Sequence, residues 1–135
     1  LEVAKTNARD LGVSNIIFHE GSWCDGLPDL KFDLIVANPP YISGSDSHLN
    51  DRGLQYEPRV ALAAENSGYS ELNLIIRNSR NFLKKDSWLL LEHGYNQQDS
   101  LIKELSRFGY SDILGLKDYA NIDRVVAAKW EVIDN

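Results

Sequence analysis

The chain has 135 residues, 43% of them apolar, which is the length of one domain with enough side-chain mass for a core. Its 20 acidic and 14 basic residues leave a net charge of −6 with no basic run, which speaks against a surface built to grip nucleic-acid phosphates, and the single Cys24 excludes an internal disulfide framework. No apolar run reaches the roughly 20 residues of a membrane span and no cleavable signal leads the chain, so no membrane partner and a soluble, cytoplasmic protein are expected.

From the N-terminus, Ala4, Ala8 and Leu11 fall at helical spacing and Gly12 supplies a stop, predicting a helix over residues 1–11. The run Asn15-Ile16-Ile17-Phe18-His19-Glu20 predicts a short strand ending at Gly21. Ser22-Trp23-Cys24-Asp25-Gly26-Leu27-Pro28 reads as a loop, with Cys24 as a small semi-buried residue that no local motif activates. Phe32-Asp33-Leu34-Ile35-Val36-Ala37 then predicts a buried strand. Periodicity fades over residues 43–68, and a loop of that length in a compact domain is usually functional. Leu72, Ile75, Ile76, Ser79, Phe82 and Leu83 restore the helical pattern, and Trp88-Leu89-Leu90-Leu91-Glu92 predicts a strand covered on both faces. After His93-Gly94 a helix carries Leu101, Ile102, Leu105 and Phe108, and strands near 111–117 and 124–131 close as an antiparallel hairpin. Strands alternating with helices predict an α/β sheet. The chain has no methionine and begins with residues that read as the inside of a helix, so it reads as a fragment.

The sequence with the most chemistry is Asn38-Pro39-Pro40-Tyr41, directly after the strand at 32–37, where a parallel sheet opens onto a ligand crevice. Two prolines hold φ near about −65° and remove two backbone donors, leaving stiff chain with carbonyls free to accept. The Asn38 oxygen and the Pro39 carbonyl can each accept one proton of a planar amino group while the Tyr41 ring packs against its plane. Such a site aims the nitrogen lone pair at an electrophile. The plainer alternative is a rigid strand-to-loop turn.

Together with Tyr56-Glu57-Pro58, Ala61-Leu62, Leu91-Glu92-His93-Gly94, Asp118-Tyr119 and Asp123-Arg124-Val125, this corner resembles the protein-glutamine N5-methyltransferases that modify peptide chain release factors. The resemblance implies a Rossmann-like class I methyltransferase sheet with helices on both faces and a C-terminal antiparallel hairpin, with S-adenosylmethionine as cofactor and a glutamine-bearing loop of a release factor as partner. It implies that Asn38, Pro39 and Tyr41 serve catalysis, that Pro40 and Glu57 help to hold the substrate, and that Ser22, Trp23 and Asn38 lie against the cofactor. Arg124 is expected to pair with Asp118 or Asp123, and Glu92 with His93 is expected to be a satisfied polar pair at the end of a strand. His19 and His48 lack companions at metal-ligand spacing, so no metal is expected. Asn-Pro-Pro-Tyr is also shared with N6-adenine and N2-guanine nucleic-acid methyltransferases, which hold an exocyclic amino group in the same way. A truncated domain without chemistry is the third reading.

Two departures from the family follow. Ser22 stands where the family carries an acid beside the adenine, and a neutral acceptor binds the adenine amino group more weakly. The glycine-rich turn after the family's first strand, and the acid that binds the ribose, have no counterpart in residues 1–135, which predicts a partial domain, weak cofactor binding by this polypeptide alone, and strand exchange between copies as a rescue.

Overall fold

The computed structural model describes residues 1–40, 42–43, 63–64 and 69–131, in two compact units, Leu1–Leu30 and Lys31–Asn135. In the first unit, helix α1 spans Glu2–Asp10. It stops because Gly12 turns left-handed at φ +68°, which lets Gly12 N–H reach the Arg9 carbonyl at 3.0 Å and Val13 N–H reach the Ala8 carbonyl at 2.8 Å. The strand expected at 15–20 is not formed, and Ile17 is exposed. A strand exists only as one member of a ladder, and no described strand lies beside these residues. Residues 22–27 make consecutive turns closed by Asp25 N–H to the Ser22 carbonyl (3.0 Å) and Leu27 N–H to the Cys24 carbonyl (3.1 Å). Gly21 and Gly26 cross so closely that a Cβ on either would collide with the other's backbone.

The second unit is built on a four-stranded sheet. Strand β1 spans Phe32–Ala37, and the two-residue strands β2 (Ile42–Ser43) and β3 (Ala63–Ala64) pair in parallel with each other. Helix α2 (Tyr69–Ser79) leads to β4 (Leu83–Glu92), and α3 (Gln98–Arg107) leads to the hairpin of β5 (Tyr110–Lys117) and β6 (Asp123–Trp130). The sheet order is β1-β4-β6-β5, with β1 parallel to β4 and the hairpin antiparallel as expected. Phe82 and Leu83 continue the helical spacing in sequence but lie outside α2; Phe82 instead accepts from Phe32 N–H at 2.7 Å, and Leu83 opens β4.

Register sorts the side chains onto two faces. Leu89 and Leu91 of β4 share one face with Ala128 and Val126 of β6, and all four are fully buried. Leu72, Ile75 and Ile76 of α2 and Leu101 and Leu105 of α3 cover them. Each such leucine or isoleucine removed from water contributes about 1.5–3 kcal/mol. Tyr110 ties α2 to the same face by donating to the Ile76 carbonyl at 3.0 Å, with its ring 5.3 Å from that of Trp130. The opposite face differs from the expectation of two covered faces. Leu34 and Val36, aligned with Trp88 and Leu90, are 51% and 66% exposed, and Leu114 and Leu116 at the far side are exposed too. The strand read as buried from Phe32–Ala37 is therefore half-buried at Ile35 and Ala37 on one side and exposed at Leu34 and Val36 on the other.

Candidate functional site

β1 and β4 run in parallel with Ala37 opposite Leu91, so the corner beginning at Asn38 and the turn beginning at Glu92 leave the same end of the sheet. β6 is antiparallel to β4 with Val125 opposite Glu92, which brings the β5–β6 turn to that end as well. Three connections thus meet where β1 and β4 end, the side on which open α/β sheets bind ligands.

At the first connection, Asn38 is exposed and its side-chain amide makes no hydrogen bond among the described residues. Pro39 is fully buried and Pro40 half-buried. One proline anchors the corner in the protein while the amide before it stays outside, so the group that can accept from an amino ligand has not been spent on the fold. Tyr41 and Glu57 lie outside the described residues.

The second connection is held tightly. His93 N–H donates to the Arg124 carbonyl at 2.9 Å, and Arg124 Nη1 returns a bond to the His93 carbonyl at 3.2 Å. Gln97 Oε1 accepts from Gly94 N–H at 2.9 Å, and the Gly94 carbonyl accepts from Gln97 N–H at 3.0 Å. The His93 ring is fully buried with Nδ1 2.8 Å from the Gly94 carbonyl, while Nε2 has no partner among the described residues. A satisfied polar pair was expected here, and the structure corrects it for His93. A buried polar atom left unpaired costs about 1–3 kcal/mol. Periodicity marks His93 as the end of a strand, but an unpaired atom shows only in three dimensions.

The third connection is held by Asp118. Asp118 Oδ1 accepts from Ala120 N–H at 2.9 Å and from Ile122 N–H at 3.0 Å, and Oδ2 pairs with Arg124 Nε at 3.3 Å, as expected for Arg124. The Ile122 N–H, followed by the Ala120 N–H and the Arg124 guanidinium, holds the Asp118 carboxyl below the usual carboxylate range against the opposing effect of desolvation. Two tyrosines stand exposed in these turns, Tyr95 after Gly94 and Tyr119 after Asp118; Tyr95 follows a glycine just past a strand, a turn signal the sequence reading passed over.

In the first unit Ser22 is exposed and its hydroxyl makes no hydrogen bond among the described residues, while Trp23, at φ +52°, is half-buried. Both keep surface available for a planar ligand.

No family model matches the chain. Over its whole length it is 42% identical to a release factor glutamine methyltransferase of Aliivibrio fischeri, covering 48% of that protein. Proteins of the same name from Coxiella burnetii and Escherichia coli are 39% and 35% identical over 96% of the chain, which covers 46% and 47% of them.

By sequence, the chain is homologous to the release factor glutamine methyltransferases.

It spans about half the length of the curated release factor glutamine methyltransferases it matches. Among solved structures, a release-factor-specific protein-(glutamine-N5) methyltransferase from Alicyclobacillus acidocaldarius aligns at a TM-score of 0.49 and 23% identity, over 76% of this chain and 50% of that one.

Proposed function

We propose that this protein transfers a methyl group from S-adenosylmethionine to the side-chain amide nitrogen of a glutamine in a peptide chain release factor, in the cytoplasm. The observation that carries the reading is the exposed, unspent amide of Asn38 on a proline-anchored corner where the parallel strands end. Asn38 Oδ1 and the Pro39 carbonyl each accept one hydrogen of the substrate amide, and Tyr41, with Pro40 and Glu57, bounds the substrate. An amide nitrogen is a poor nucleophile because its lone pair is delocalised; two acceptors aimed at its hydrogens stabilise the positive charge that develops as the new bond forms. Holding the nitrogen about 3–3.5 Å from its target supplies a further large share of the rate. S-adenosylmethionine, when bound, supplies a methyl group activated by its sulfonium. The exposed Ser22 hydroxyl and the open part of the Trp23 ring fit an adenine.

The same reading takes residues 1–135 as part of a larger S-adenosylmethionine-dependent domain. Its supports are the greater length of the relatives and the outer edge of β1, which pairs with no described strand. Expressed alone, the 135-residue polypeptide is expected to show no micromolar cofactor binding by calorimetry and to associate through its open edge, which light scattering would detect. Incubation of the full-length protein with labelled cofactor and either release factor or DNA tests the function. Label in the release factor at a glutamine supports it; label in DNA instead would favour a nucleic-acid methyltransferase.

A further inference from the structure

The acceptor corner has a neighbour with an unused acceptor of its own. A carbonyl oxygen only accepts, so the 2.8 Å contact between His93 Nδ1 and the Gly94 carbonyl assigns the ring hydrogen to Nδ1. In the neutral ring Nε2 is then a bare lone pair, fully buried and without a donor among the described residues. Pro39 lies two residues past Ala37, and His93 two residues past its ladder partner Leu91, so both leave the same end of the paired strands, and both are buried. Neither Pro39 nor Pro40 has an N–H to offer. The backbone of His93 is fixed to Arg124 through both its N–H and its carbonyl, and the bond from Nδ1 to the Gly94 carbonyl holds the buried ring. A buried orphan in a native fold calls for an explanation, and use by the site beside it is one.

We propose that His93 is a positioning residue for the Asn38 corner, and that its Nε2 lone pair is kept for an N–H or O–H donor that comes within reach when the substrate amide occupies the site. The inference rests on the function proposed above. Filling the corner presses on Pro39, and the imidazole beside it holds that proline, and with it the Pro39 carbonyl, in the geometry that accepts from the amide. His93 does not itself touch the reacting nitrogen.

The test uses the full-length protein, labelled with 15N-histidine, with a glutamine-containing release-factor peptide and S-adenosylhomocysteine as probes. The Nε2 resonance of His93 is expected at the position of an unprotonated nitrogen in the free protein and to move upfield when both probes are added. A protonated Nε2 in the free protein, or a resonance that ignores the probes, overturns the inference. Alongside, His93→Phe, which keeps the ring volume and removes both the Nε2 acceptor and the Nδ1–H bond to the Gly94 carbonyl, is expected to lower kcat about tenfold with KM and cofactor affinity held. His93→Gln, which returns an acceptor oxygen, is expected to recover most of the loss. Wild-type kcat in His93→Phe, or equal losses in both variants that track Tm, reduce His93 to packing. Absence of methylation by the wild-type protein would count against the proposed function and not against His93, whose resonance reports separately.

Discussion

The corner after β1 and the turn between β5 and β6 leave the same end of one sheet, yet the first keeps Asn38 exposed and unbonded while the second spends both carboxylate oxygens of Asp118 on its own backbone and on Arg124. Both are rigid. The first gets its stiffness from proline rings, which fix the chain without using a side-chain polar group. The second gets it from hydrogen bonds that use both carboxylate oxygens of Asp118. Rigidity that leaves an acceptor free suits a site; rigidity that consumes its acceptors suits a fold.

The contrast can be broken at several points. Leu91→Ala removes packing from beneath both connections and is expected to cost about 2–5 kcal/mol in denaturant unfolding. On the open face, Val36→Ala is expected to stay within about 0.5 kcal/mol. Similar losses for the two would mean that the open face is covered in solution. Asn38→Ala in the full-length protein is expected to lower kcat about hundredfold, comparable to loss of one donor or acceptor aimed at a transition state, with Tm and cofactor affinity unchanged. Retained transfer would remove the central role given to this corner.

The smallest effect is at Asp118. Its pKa is lowered in the folded state, so it binds protons more weakly there than in the unfolded chain, and the stability it contributes is present above its ordinary pKa of 3.8 and lost as pH falls through the folded value. The Tm advantage of the wild type over Asp118→Asn should therefore be full at neutral pH and shrink below that value, with kcat little changed. An advantage that grows toward acid would reverse the sign of the argument.

Much of this was legible in the residues. Gly12 as a stop, the spacing of Leu72, Ile75 and Ile76, and the two closing strands carry their structure locally, in backbone freedom and periodicity. That the chain turns out of β1 at Asn38 was legible because two prolines follow an apolar strand. Two failures share one cause. Residues 15–20 have a strand's composition without a ladder partner among the described residues, and Leu34 and Val36 read as core although nothing described covers them. Hydrophobicity says what a segment needs and does not say whether a neighbour is present to supply it. His93 was misjudged for a third reason: whether a polar atom is satisfied depends on atoms remote in sequence.

The pairing of Ala37 with Leu91 spans a long stretch of chain, while β4, α3, β5 and β6 follow one another closely and fold largely on local contacts. Closing that long excursion costs entropy before it returns any contact, and among the described strands β1 gains a ladder on one side only. In the 135-residue polypeptide alone, β1 should therefore be the last strand to join and the first to open. Its amides should exchange with deuterium well before those of β4 and β6, so that the corner bearing Asn38 sits on the element with the lowest opening energy in the sheet.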